Sequence, residues 1–124
     1  MVKSQLLISI VDDDESVRES LPDLLEMFGF ASQTFSSADE FLAKDGISQT
    51  RCLILDVAMP GMRGPDLQKE LNRRKSKVPI IFITGLRDEA LRSELIEQGA
   101  VACLTKPFSD SAMLEALNLG LQVK

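Results

Sequence analysis

Short apolar runs alternate five times with longer stretches in which apolar residues recur at helical spacing. The runs are Leu6–Val11, Ala31–Phe35, Cys52–Leu55, Pro79–Ile83 and Val101–Leu104. Their length, and the Gly, Pro and Asp residues that bound them, predict β-strands. Between and after them the spacing predicts five helices. The first spans Glu15 to Phe28, with Val17, Leu21, Leu24, Leu25 and Phe28 on one stripe, a local kink at Pro22 and Gly29 as its stop. A short helix over Ala38–Ala43 follows Ser36 and Ser37, either of which can cap it. A third covers Pro65 to Lys75, with Leu67 and Leu71 inward. A fourth covers Asp88 to Gln98, with Leu91, Leu95 and Ile96 inward and Gly99 after it. The fifth runs from Ser109 or Asp110 to Val123, with Met113, Leu114, Leu117 and Leu121 on its stripe.

Strand–helix alternation through short loops implies parallel strands joined by right-handed crossovers. The first, third and fourth strands are almost wholly apolar, as helices on both faces require. The second carries Ser32 and Gln33 and suits an edge. The expected architecture is α/β: a doubly wound, flavodoxin-like, five-stranded sheet in the order 2-1-3-4-5 with five helices.

At 124 residues the chain has the size of one domain, and 44% apolar with 27% charged residues is ordinary globular composition. The net charge of −5 argues against nucleic-acid binding by this segment. No apolar run approaches the ~20 residues that span a bilayer, and the N-terminus lacks a signal-peptide layout. Cys52 and Cys103 both lie in apolar runs and read as reduced core thiols, which fits a cytosolic setting. The chain has no His, so His-based triads, His-ligated zinc and a phosphohistidine of its own are excluded.

The chemistry gathers where the strands end. Asp12-Asp13-Asp14 follows the first strand, Asp56 the third, Thr84 the fourth and Lys106 the end of the fifth. In open parallel sheets that edge binds ligands. Asp14 is explained as a helix cap, favoured by the free N–H groups and the helix dipole. Three consecutive acids are not, because their repulsion must be offset by something cationic. Asp12 and Asp13 therefore read as hard oxygen ligands for Mg²⁺. Asp56 beside such a metal stays ionised and can attack a phosphoryl donor. Lys106 would then neutralise the phosphoryl oxygens, and the Thr84 hydroxyl would bond to one of them.

Together the segments Ile10-Val11-Asp12-Asp13-Asp14, Leu55-Asp56-Val57-Ala58-Met59-Pro60-Gly61-Met62-Arg63-Gly64, Ile83-Thr84-Gly85, Gly99-Ala100-Val101 and Lys106-Pro107-Phe108 resemble the receiver domain of two-component response regulators, in its FixJ/NarL-type branch. The resemblance covers essentially all of residues 1–124, with no output domain in the chain. It implies that Asp56 is the phosphoacceptor and that Asp12 and Asp13 bind Mg²⁺, Asp13 more directly, with Asp56. The Ala58 backbone carbonyl completes the protein ligands, Thr84 is the switch hydroxyl and Lys106 the phosphate-contacting lysine. Lys106-Pro107 is similar to the family's cis peptide. The implied partner is a sensor histidine kinase, which supplies the missing histidine. The implied consequence is homodimerisation on phosphorylation through the face of the fourth helix, fifth strand and fifth helix. A C-terminal DNA-binding domain usually follows such receivers.

Two positions depart from the family pattern. Cys103 stands where relatives carry a switch aromatic, and a thiol cannot perform a large ring rotation. Ala58 and Leu86, two residues after Asp56 and Thr84, are apolar where some relatives orient a hydrolytic water. Two alternatives stay open. An aspartate-nucleophile phosphohydrolase would want an acid at position 58, which is Ala. A pseudo-receiver would want a degraded pocket, whereas every acid and Lys106 are present.

Overall fold

In the computed structural model, which describes residues 6–122, the five strands are β1 (Leu7–Val11), β2 (Ala31–Phe35), β3 (Cys52–Asp56), β4 (Ile80–Thr84) and β5 (Ala102–Thr105). They form one parallel sheet in the order β2-β1-β3-β4-β5, as the alternation implies. Side chains alternate across it. Leu53, Leu55 and Phe82 pack on one face, and Ile54, Ile81 and Ile83 on the other.

The helices are α1 (Glu15–Met27), α2 (Ala38–Ala43), α3 (Gly46–Gln49), α4 (Gly64–Arg73), α5 (Glu89–Glu97) and α6 (Asp110–Leu121). α1 and α6 cover the Ile54 face through Leu21, Leu25, Met113 and Leu117. The others cover the opposite face. α1 runs through Pro22 without breaking, and Gly29 follows it with φ 94°. Ser37, rather than Ser36, caps α2.

The structure corrects the expected elements in three places. There are six helices among the described residues, not five, because α3 is a single turn too short to show a helical stripe. It is bound to the core by polar contacts, with Thr50 bonded to Gly46 and to the buried Ser9. α4 starts at Gly64 and stops at Arg73, short of Lys75. Lys75 takes φ 61°, in the left-handed region, as the residues after it turn toward β4. Ile96 is 38% exposed rather than inward. It lies next to Leu95, the buried residue of α5, and a helix resting on a sheet through so narrow a stripe leaves that neighbour outside. Val123, the expected end of the last helix, lies outside the described residues.

One glycine fixes how α4 meets the sheet. The Gly64 N–H donates to the Val57 carbonyl at 3.1 Å. A Cβ there would overlap the Asp56 carbonyl oxygen and approach the Phe82 ring to 3.1 Å. Only a residue without a side chain lets the first turn of α4 close on the end of β3. Gly64→Ala is expected to cost about 1–3 kcal/mol through overpacking, read as a lower urea midpoint with an unchanged slope.

Candidate functional site

Register brings the distant residues to one edge. Val11 pairs with Phe35 and Leu55, Asp56 with Ile83, and Thr84 with Thr105. Each chain leaving this edge is tied to its neighbour. Asp12 N–H donates to the Phe35 carbonyl, Val57 N–H to Ile83 and Lys106 N–H to Thr84. The residues that follow the strands are therefore held by the backbone ladder rather than by flexible loops.

Asp12, Asp13 and Asp56 each offer a carboxylate oxygen within 4.8 Å of the others. Asp12 is fully buried, Asp56 nearly so, and Asp13 is exposed. Asp12 Oδ1 accepts the Asp14 N–H at 2.9 Å, which fixes its rotamer. The Arg18 guanidinium donates to the Asp12 carbonyl at 2.9 Å. Asp14 turns away to cap α1, accepting from the Ser16 N–H and hydroxyl. Those bonds hold its carboxyl below the usual range.

Lys106 reaches into the cluster. Its Nζ lies 3.1 Å from Asp12 Oδ2 and 3.4 Å from Asp56 Oδ1. The bond to Pro107 that follows is cis. Burial by itself would lower the ammonium's pKa, but the hydrogen bond and charge of Asp12, then those of Asp56, outweigh it and raise it. For Asp56 the balance falls the other way. Burial and the Asp12 charge push its pKa up to about 6, and Lys106 offsets only part of this. One cation among three acids leaves the pocket short of positive charge, and it offers hard oxygen donors. A divalent cation such as Mg²⁺ fits that donor set.

The structure thus brings Asp12, Asp13, Asp56 and Lys106 together. Thr84 ends β4 at the same edge and is buried. Its Oγ1 accepts the Leu86 N–H at 3.1 Å, and the residue borders a small cavity with Cys103 rather than bonding to Asp56. Ala58 is exposed on the loop leaving β3. Sequence reasoning reaches Gly64 as the end of the segment after Asp56 but not its packing against β3, and it misses Arg18. A glycine directly before the first proline of a helix, shortly after the key aspartate, was a signal for that packing. The contact of Arg18 with a main-chain carbonyl leaves no sequence signature.

With this geometry in view, a family model described as "Response regulator receiver domain" matches residues 8–118. The chain belongs to that family. Its receiver is 41% identical over 117 residues to the response regulator protein TodT of Pseudomonas putida, a match covering 94% of this chain and 52% of TodT. It is 40% identical to the transcriptional regulatory protein FixJ of Azorhizobium caulinodans, covering 94% of this chain and 55% of FixJ. The chain spans about half the length of these curated relatives. The crystal structure of FixJ-N superposes with a TM-score of 0.86 at 36% identity, covering 98% of both chains. A receiver domain is a signalling module rather than a classical enzyme, and its acidic pocket corresponds here to Asp12, Asp13 and Asp56. Among the described residues, no helix is long and apolar enough to cross a membrane.

The raised affinity of Asp56 for a proton has a thermodynamic consequence for the metal-free receiver. The folded state binds this proton more tightly than the unfolded chain, whose carboxyl titrates near 3.8. The associated stability is present below that pH and is lost as pH rises through about 6. Asp56→Asn is expected to be more stable than wild type at pH 8 in EDTA by about 1–2 kcal/mol, with the gap closing toward pH 4. Urea denaturation of both proteins across that range checks it.

Proposed function

We propose that this receiver accepts a phosphoryl group on Asp56 from the phosphohistidine of a partner sensor kinase. The observation that carries the reading is the convergence of Asp12, Asp13 and Lys106 on the nearly buried Asp56 carboxylate. An Asp56 oxygen attacks phosphorus, the P–N bond of the phosphoimidazole breaks, and its electron pair stays on the ring nitrogen of the kinase. The product is an acyl phosphate on Asp56. Lys106 then meets the phosphoryl oxygens, a role that its 3.4 Å approach to Asp56 Oδ1 supports. Asp12 holds that ammonium in position through its own contact at 3.1 Å.

Asp13, Asp56 and the Ala58 carbonyl would hold Mg²⁺, with Asp12 assisting. When bound, the ion supplies the positive charge that the pocket lacks for an incoming phosphoryl group. Thr84 then becomes the sensor of modification. Its hydroxyl turns from the Leu86 N–H toward a phosphoryl oxygen, and the change passes to the face made by α5, β5 and α6. Self-association through that face and control of transcription by a DNA-binding output domain are the consequences we assign, by analogy with relatives named transcriptional regulatory proteins. The net charge of −5 leaves DNA binding to that other domain, and the setting is the cytoplasm.

Incubation with Mg²⁺ and acetyl phosphate is expected to add the mass of one phosphoryl group to the intact protein, and Asp56→Asn to abolish the gain. A variant that still gains the group at the wild-type rate would refute the assignment. Asp13→Asn is expected to weaken Mg²⁺ binding about tenfold or more, as loss of a direct carboxylate ligand should. Calorimetric titration measures this, and an unchanged affinity would remove Asp13 from the ligand set. Thr84→Ala should keep phosphorylation but blunt self-association in sedimentation velocity.

A further inference from the structure

α5 is held very differently at its two ends. At the C-terminal end, two amide side chains one turn apart on α4 grip its backbone. The buried Gln68 donates to the Leu95 carbonyl at 3.0 Å, and Asn72 donates to the Gln98 carbonyl at 3.1 Å. Leu95, buried against the sheet, lies at the same end. Gly99 and the return to β5 follow at once.

The N-terminal end is capped by its own Asp88, whose Oδ1 accepts the Leu91 N–H at 3.0 Å, but among the described residues no side chain of α4 bonds to its backbone. Residues 85–90 are all exposed, and Leu86 is 69% exposed despite its apolar side chain. Leu91 is only half-buried. Arg92 Nε approaches the Cys103 carbonyl at 3.5 Å, the outer limit for a hydrogen bond. Beneath this half lies a cavity of about 20 Å³ bordered by Thr84, Leu91, Arg92, Cys103 and Thr105. No bulky side chain from β5 fills it, because the residue there is Cys103.

We propose that α5 is a hinged element, with Gln68 and Asn72 as its pivot and its N-terminal half free to tilt over the space beside Cys103. Thr84 sits at the moving end and is tied to it by the Leu86 N–H. Displacement of Thr84 is therefore transmitted as rotation of the helix about a fixed C-terminus, with no aromatic side chain required. Gln68 and Asn72 are positioning residues, acting on the switch through the α5 backbone.

Residue-resolved amide exchange on the unmodified protein tests this without any phosphoryl group, so failure of the Asp56 reading would leave the outcome intact. An ordinary helix frays at both ends. Here the Glu97 and Gln98 amides are expected to exchange at least tenfold more slowly than those of Ser93 and Glu94. Thr84→Val removes the bond from the Leu86 N–H and should speed exchange at Ser93 and Glu94 several-fold, leaving Glu97 and Gln98 unchanged. Gln68→Met with Asn72→Ala should erase the difference between the two ends. Asn72→Ala alone, on an exposed side chain, should reduce it if the double variant does not fold. Equal protection at both ends of the wild type would overturn the hinge. So would a Thr84→Val effect spread evenly along α5, or full protection of Gln98 in Asn72→Ala.

Discussion

The pocket is organised by a shortage of positive charge. Asp12, Asp13 and Asp56 crowd at one sheet edge, and among the described residues Lys106 is the cation that reaches in to meet two of them. Burial of Asp56, together with the neighbouring Asp12 charge that the shared ammonium offsets only in part, is why Asp56 holds its proton up to about 6. The fold sustains this cost because the rest of the sheet is apolar, well paired and covered on both faces. Local strain of this kind, offset elsewhere, is what a site built to receive a cation and an anionic group needs.

The same constraint connects the pocket to its surroundings. Asp56 is the last residue of β3, so its position depends on the pairing with β4 and on the close approach of α4 that Gly64 permits. Lys106 follows β5 and is tied by its N–H to the Thr84 carbonyl. Asp56 and Lys106 are thus both tied through the backbone to the end of β4, after which α5 begins. α5 offers little apolar resistance there, since Leu95 is its single buried residue.

Much of this was legible in the sequence. The strands are nearly continuous apolar runs, so their number and parallel direction follow from the alternation with helices, the edge position of β2 from its polar Ser32 and Gln33, and the order from the doubly wound architecture. Asp12, Asp13, Asp56 and Lys106 were identifiable because charged residues directly after buried strands have one common edge to occupy. The rest was hidden for physical reasons. α3 is one turn held by hydroxyl contacts, which leave no periodicity. The expected inward face of α5 is too wide at Ile96, because which of two adjacent apolar residues on a short helix is buried depends on how the helix rests on the sheet. Thr84 is identifiable as the end of its strand, but the bond its hydroxyl accepts from the Leu86 N–H and the cavity it borders with Cys103 leave no pattern in the sequence.

The central claim, that uncompensated charge at Asp56 is what prepares the pocket for a cation and a phosphoryl group, is tested most directly by titrating the Asp56 carboxyl itself. Carbon-13 NMR of the side-chain carboxyl resonances, with Asp56→Asn for assignment, gives its midpoint with and without Mg²⁺. The account predicts a midpoint of about 6 in EDTA that falls to the ordinary carboxylate value of about 4 or below when Mg²⁺ is added. An Asp56 that titrates near 4 in EDTA and does not respond to the metal would contradict it.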